Sequence, residues 1–73
     1  FGEKFRQIGL KIAYYRKRKA LKQMEVAEKA GISCSYLSKI ETGKVRYSLA
    51  VLIQIAKVLD IDPGELLTDG SSY

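Results

Sequence analysis

The residues best suited to chemistry lie in one short stretch after Gly31. They are mostly short polar groups, with one aromatic ring and one cation, and in chain order they are Ser33, Cys34, Ser35, Tyr36, Ser38 and Lys39. Leu37 and Ile40 would turn inward on a helix and leave these groups on its outer face. Such a face offers hydrogen-bond donors and acceptors near a helix N-terminus and can enter a groove without steric conflict.

The composition argues against a catalytic or metal-binding role. The 73 residues contain no histidine and one cysteine, so the commonest general base and metal ligand is absent and no internal disulfide can form. No apolar run approaches the length of a membrane span, and the N-terminus lacks a signal-peptide pattern. We therefore expect a soluble, cytoplasmic single domain that is not an enzyme and has no cofactor, metal or membrane partner.

The net charge of +5 is unevenly distributed along the chain. Residues 1–47 hold twelve of the thirteen Lys and Arg residues and four acidic residues, a net charge of +8, whereas residues 48–73 carry a net charge of −3. A basic surface attracts polyanions. Basic composition alone is equally compatible with a solvated surface. The position of these charges beside the polar face shifts the balance toward a polyanionic partner.

Two predicted helices precede the polar face. The first spans residues 2–19, and Gly9 on its apolar side permits a close helix crossing. Its repeating apolar residues are Phe5, Ile8, Ile12 and Tyr15. The second covers about two turns and stops at Gly31, because glycine best tolerates a positive φ. Its narrow stripe of small residues is Val26, Ala27 and Ala30.

Three further helices are predicted from Ser33 onward. Ser33 and Ser48 can cap the third and fourth helices, and Asp62 followed by Pro63 can begin the fifth. We expect these helices at about residues 33–42, 49–59 and 64–67, followed by a flexible tail at residues 68–73. The fourth helix is apolar on more than one side, which indicates a contact with another subunit.

Residues 23–44 resemble the helix-turn-helix of the lambda-repressor-like family, also called the Cro and XRE type. The matching residues are Gln23, Val26-Ala27, Gly31-Ile32-Ser33, Leu37-Ser38-Lys39-Ile40-Glu41 and Gly43-Lys44. With its flanks the resemblance covers roughly residues 5–67. It implies an all-α, compact five-helix bundle over residues 1–67 that binds double-stranded DNA.

On this resemblance, the third helix enters the major groove, where base edges differ in donors, acceptors and methyl groups. The expected base contacts are Cys34, Ser35, Tyr36 and Lys39. The expected backbone contacts are Lys22, Gln23, Ser33, Ser38, Thr42, Lys44 and Arg46. We expect a sequence-specific transcriptional regulator that acts as a repressor and binds an inverted-repeat operator as a homodimer. The Cys34 thiol is expected to be a small contact group, and redox-sensitive binding stays open as an alternative.

Glu41 is expected at the C-terminal end of the third helix, where the helix dipole disfavours a carboxylate. It should therefore have a cationic partner, and the resemblance implies a structural salt bridge with Arg16. Two residues depart from the family pattern. Lys22 stands where a capping Ser, Thr or Asn is usual, and Tyr47 stands where proline is frequent. We expect Tyr47 to pack against the domain.

Two alternatives use the same fold for another purpose. One is a protein-protein interaction module of the bridging-coactivator type, which would bind DNA weakly and without sequence preference. The other is an antitoxin, which would bind a toxin as well as its own operator. A membrane-surface role for the first helix is disfavoured, because its apolar residues are needed for the core.

Overall fold

A computed structural model describes residues 2–67 as five α-helices with short connections and no strand among them. The helices are α1 (Gly2–Arg18), α2 (Gln23–Ala30), α3 (Cys34–Glu41), α4 (Leu49–Leu59) and α5 (Pro63–Leu67). The predicted all-α, five-helix fold is confirmed, and the predicted limits of α1, α3, α4 and α5 lie within one residue of those observed. The predicted tail at residues 68–73 lies outside the described residues.

The turn between α2 and α3 depends on one glycine and one serine. Gly31 has a φ of +76°, and its N–H donates to the Glu28 carbonyl. Ser33 is extended, and its Oγ accepts a hydrogen bond of 3.0 Å from the Tyr36 N–H. The two residues end one helix and begin the next within three positions, as their types predict.

The N-cap residue of α2 has no side-chain group that can accept a hydrogen bond. Lys22 occupies the N-cap, but an ammonium group has only donors. Instead, the main-chain N–H of Lys22 donates to the Glu25 carboxylate over 2.9 Å. Glu25 therefore supplies half of a capping box and replaces part of the missing serine or threonine.

The hydrophobic core lies where α1, α2, α3 and α4 meet, with α5 closing one side. Burial of each large aliphatic side chain stabilises the fold by roughly 1.5–3 kcal/mol. Phe5 and Tyr15 are half-buried at the margin. The buried apolar residues are Ile8, Ile12, Val26, Ala27, Leu37, Ile40, Leu52, Ile55, Ala56, Leu59 and Leu66.

Two glycines bring α1 directly against the end of α3. A Cβ atom at Gly9 would collide with the Ile40 carbonyl oxygen and would lie 3.0 Å from the Glu41 carbonyl oxygen. Gly43 has a φ of +72°, and a Cβ atom there would lie 2.9 Å from the Arg6 Cα. The predicted close crossing at Gly9 is therefore present, and α3 rests on α1 without intervening side chains.

None of the helices within residues 2–67 combines the length and the apolar character that a membrane span requires.

Candidate nucleic-acid interface

The outer face of α3 is polar and exposed. Cys34, Ser35 and Lys39 are exposed, whereas Leu37 and Ile40 on the opposite side are completely buried. Ser38 is half-buried between the two sides. The fold therefore presents a thiol, a hydroxyl and an ammonium group to solvent on a helix that is held from behind by the core.

Tyr36 is oriented differently from its neighbours on α3. Its side chain is half-buried and packs against the core, and its hydroxyl donates to the Arg46 carbonyl over 3.2 Å. The large ring gains more from covering apolar surface than from projecting into water. Tyr36 was predicted on the outward face, but in the structure its hydroxyl is bonded to the loop that follows α3.

The loop between α3 and α4 combines exposed cations with a packed aromatic ring. Lys44 and Arg46 are exposed, while Tyr47 packs edge-on against Phe5 with ring centroids 5.0 Å apart. The prediction that Tyr47 packs against the domain is confirmed. Burial, and to a smaller extent Tyr36, raises the pKa of Tyr47 to about 12. Tyr47 anchors the loop at one end, so the two cations are held close to the end of α3.

Arg16 and Glu41 form a bidentate pair between α1 and α3. Arg16 Nε donates to Glu41 Oε2 over 2.7 Å, and Arg16 Nη2 donates to Glu41 Oε1 over 3.1 Å. The two side chains are 11% and 6% exposed. Arg16 Nη1 also donates to the Leu21 carbonyl over 2.8 Å, which fixes the connection between α1 and α2. The pair joins α1, the connector and the C-terminal end of α3.

Gln23 joins the same cluster from α2. Its Nε2 donates to Glu41 Oε1 over 2.9 Å. Gln23 is also the first residue of α2, where main-chain N–H groups have no acceptor within the helix and the dipole favours an anion. The sequence did not indicate this side-chain contact, because Gln23 lies 18 positions before Glu41 in the chain.

Three further predicted contact residues lie at helix ends. Thr42 caps the end of α3, and its hydroxyl donates to the Ser38 carbonyl over 3.0 Å. Ser33 uses a lone pair to cap α3, which leaves its hydroxyl proton available to a phosphate. Lys22 is exposed at the start of α2. Among residues 2–67 no cluster of His, Cys, Asp or Glu could hold a metal ion.

Comparison with known proteins decides the family. A sequence model described as helix-turn-helix matches residues 12–66, which is more than half of the chain. The chain belongs to the helix-turn-helix family of the Cro and XRE type. The resemblance stated from the sequence is thereby confirmed.

Relatives of this helix-turn-helix domain include named regulators. The HTH-type transcriptional regulator SinR of Bacillus licheniformis is 41% identical over 63 residues, which are 85% of this chain and 57% of that protein. The chain thus spans little more than half the length of this relative. Regulators of this kind support neither the bridging-coactivator nor the antitoxin alternative.

Two solved structures share the fold. The restriction-modification controller protein C.AhdI of Aeromonas hydrophila superposes with a TM-score of 0.85 at 31% identity, covering 89% of this chain and 94% of that one. The N-terminal DNA binding domain of SinR from Bacillus subtilis gives a TM-score of 0.82 at 38% identity, covering 92% and 99% of the two chains. The described helices therefore have the same arrangement as the helices of these two solved structures.

Proposed function

We propose that this helix-turn-helix domain binds double-stranded DNA sequence-specifically and regulates transcription. The observation that carries the proposal is the exposed polar face of α3, backed by the buried Leu37 and Ile40. The major groove of B-form DNA admits one α-helix, and its base edges present distinguishable donors, acceptors and methyl groups. The likeness to the DNA binding domain of SinR supports the same function.

Four side chains on α3 are the proposed base contacts. Ser35 and Lys39 bind base edges through a hydroxyl and an ammonium group, and an ammonium group suits the two acceptors of guanine. Cys34 offers an apolar contact to a thymine methyl group or a sugar. Tyr36 contributes through the edge of its ring, since its hydroxyl is bonded to the Arg46 carbonyl.

The proposed backbone contacts come from both ends of the helix-turn-helix. Phosphate contacts fix the register of the protein on the duplex but carry no sequence information. Each neutralised phosphate releases counterions, so affinity falls steeply as salt rises. The residues are Lys22, Gln23, Ser33, Ser38, Thr42, Lys44 and Arg46, and Gln23 contributes its main-chain N–H.

Two copies are proposed to bind an inverted repeat, with repression as the result because a bound dimer covers the duplex. Half-sites would then lie about one helical turn apart, roughly 34–36 Å. A domain of this size rarely gains more than about 3–5 kcal/mol from its core, so association would stabilise it. Apolar side chains available for such a contact include Leu49, which is 60% exposed, and Leu67, which is 41% exposed.

Selection of bound sites from random duplexes tests the proposal. We expect enrichment of one inverted repeat, with half-sites separated by about one helical turn. The enriched motif would report sequence specificity, and its symmetry would report the dimer. Binding without enrichment of any motif would contradict the proposed function.

A further inference from the structure

We infer that the side chain of Gln23 is a positioning residue, which fixes the C-terminal end of α3 through Glu41 and does not itself contact DNA. The family resemblance implies that Gln23 contacts a phosphate. We assign that contact to the main-chain N–H of Gln23 and not to its side chain. The inference rests on the proposed function, because the helix that Gln23 positions is the helix proposed to bind bases.

The geometry places one carboxylate between two donor residues. Glu41 Oε1 accepts from Gln23 Nε2 at 2.9 Å and from Arg16 Nη2 at 3.1 Å, while Glu41 Oε2 accepts from Arg16 Nε at 2.7 Å. An ionised carboxylate can only accept, so the nitrogen of the Gln23 amide, and not its oxygen, must face Glu41. Three bonds from α1 and α2 thus converge on the last residue of α3.

Glu41 needs more than one donor residue for a physical reason. Its side chain is 6% exposed and lies at the negative end of the α3 dipole, so the carboxylate has lost most of its water in an unfavourable field. Arg16 satisfies one site on each oxygen but also donates to the Leu21 carbonyl at 2.8 Å. Gln23 supplies a second donor to Oε1, so this oxygen accepts one hydrogen bond from α1 and one from α2.

The length of α3 makes its end important. The helix has eight residues, and Lys39 lies two residues before Glu41. A helix of about two turns has little stability of its own, so its orientation depends on the buried Leu37 and Ile40 and on the hydrogen bonds to Glu41 at its end. The amide of Gln23 acts on the position of Lys39 although it lies on a different helix.

The same amide is poorly placed for a phosphate. Its oxygen is an acceptor and repels a phosphate, and one of the two Nε2 protons is donated to Glu41. If Nε2 moved to a DNA phosphate, the buried Glu41 carboxylate would lose a hydrogen-bond donor, which would destabilise the folded protein. The Gln23 side chain therefore contributes more by its hydrogen bond to Glu41 than it would by a contact with DNA.

Thermal unfolding in the absence of DNA provides the first test. Gln23→Ala should lower the melting temperature by about 5 °C or more, because a half-buried bond to a charged group is lost. Gln7→Ala is the matched control, since Gln7 also donates to a helical glutamate, Glu3, but over 3.4 Å on an exposed surface. The control should melt within about 2 °C of wild type. If Gln23→Ala does not fold, the test uses Gln23→Met instead, because methionine has a similar side-chain length and no hydrogen-bond donor.

Binding to a selected and a scrambled duplex provides the second test. A misplaced α3 should reduce the ratio of the two affinities by about tenfold in the Gln23 variant, whereas loss of a phosphate contact alone lowers both affinities equally. An unchanged melting temperature, or an equal loss on both duplexes, would overturn the inference. Failure of wild type to discriminate between the duplexes would instead refute the proposed function, and this result appears without any variant.

Discussion

Tyr47 fixes the loop after α3 through its aromatic ring but buries a hydroxyl group without a hydrogen bond in the described part of the chain. Its hydroxyl is buried and has no hydrogen-bond partner within residues 2–67. Its ring packs edge-on against Phe5 at 5.0 Å between centroids, so the favourable aromatic contact accompanies an unsatisfied polar atom. Burial raises the pKa of Tyr47 to about 12, because the ionised phenolate would lose still more hydration than the neutral hydroxyl.

Tyr47→Phe should raise the free energy of unfolding by about 1 kcal/mol at pH 7, because the ring is kept and the unsatisfied hydroxyl is removed. The pKa of Tyr47 is higher in the folded protein than its ordinary value of 10, so the folded state favours the neutral form. The free energy of unfolding of wild type is therefore unaffected by this ionisation below about pH 10, and it falls as the pH rises from 10 toward 12 because the unfolded state loses its proton first.

Urea unfolding of wild type and Tyr47→Phe at several pH values measures both effects. The advantage of the variant should widen between about pH 10 and pH 12. Tyr14→Phe controls for loss of a hydroxyl at pH 7, since the Tyr14 side chain is 55% exposed. A difference between wild type and Tyr47→Phe that stays constant across this pH range would contradict the account of Tyr47.

Polar contacts differ in how far the sequence predicts them. The position of Glu41 at a helix C-terminus indicates a cationic partner, and Arg16 occupies that place in the structure. The hydrogen-bonding groups of Gln23 and Tyr36 do not indicate which acceptor they bind. Their acceptors lie 18 and 10 residues away in the chain, so only the packed fold identifies them.

At the scale of helices, local signals were sufficient for most boundaries. Ser33 and Ser48 cap α3 and α4 through their hydroxyl oxygens, and Gly31 supplies the positive φ that ends α2. The end of α1 lacked such a signal, because Ala20 rather than glycine adopts a φ of +56° there. A side chain in this conformation is tolerated only because the surrounding contacts impose it.

The α1–α3 contact combines close approach with an ionic connection. Gly9 leaves room for the α3 carbonyl groups, and Arg16 binds the last residue of α3 about two turns further along α1. The periodicity of α1 predicts its apolar side, but it does not predict which helix end would lie there. That outcome depends on the turn at Gly31 and on the approach of Gly43 to Arg6.

Arg16→Ala should lower the free energy of unfolding by about 3–5 kcal/mol, because it leaves the buried Glu41 carboxylate without its cation. This loss is comparable to the whole stability expected of a small core. Arg6→Ala is the matched control on the same helix, since Arg6 pairs with Glu3 at 3.5 Å with side chains 58% and 61% exposed. The control should change stability by less than about 1 kcal/mol, and thermal unfolding in which both variants behave alike would contradict a structural role for Arg16.

At the scale of the whole molecule, charge and shape support one function. Residues 1–47, which contain α1, α2 and α3, have a net charge of +8, and residues 48–73, which contain α4 and α5, have a net charge of −3. This asymmetry directs the basic part toward a polyanion and would accelerate association at low salt. The sequence pattern predicted the family and the fold, because caps, glycines and apolar spacing agree with one another. It could not indicate the orientation of Tyr36 or the operator sequence, which depend on packing and on the partner.

The most direct measurement of the central claim is a mobility-shift panel of the selected duplex and its single-base variants with wild type, Lys39→Ala and Lys57→Ala. Lys57 is an exposed lysine on α4, so its loss removes the same charge away from α3. We predict that Lys39→Ala loses about 1–3 kcal/mol of discrimination at one position of each half-site, whereas Lys57→Ala retains the wild-type order of preference. Lys39→Ala binding every duplex in the same order and with the same ratios as wild type would contradict the proposal that α3 reads the bases.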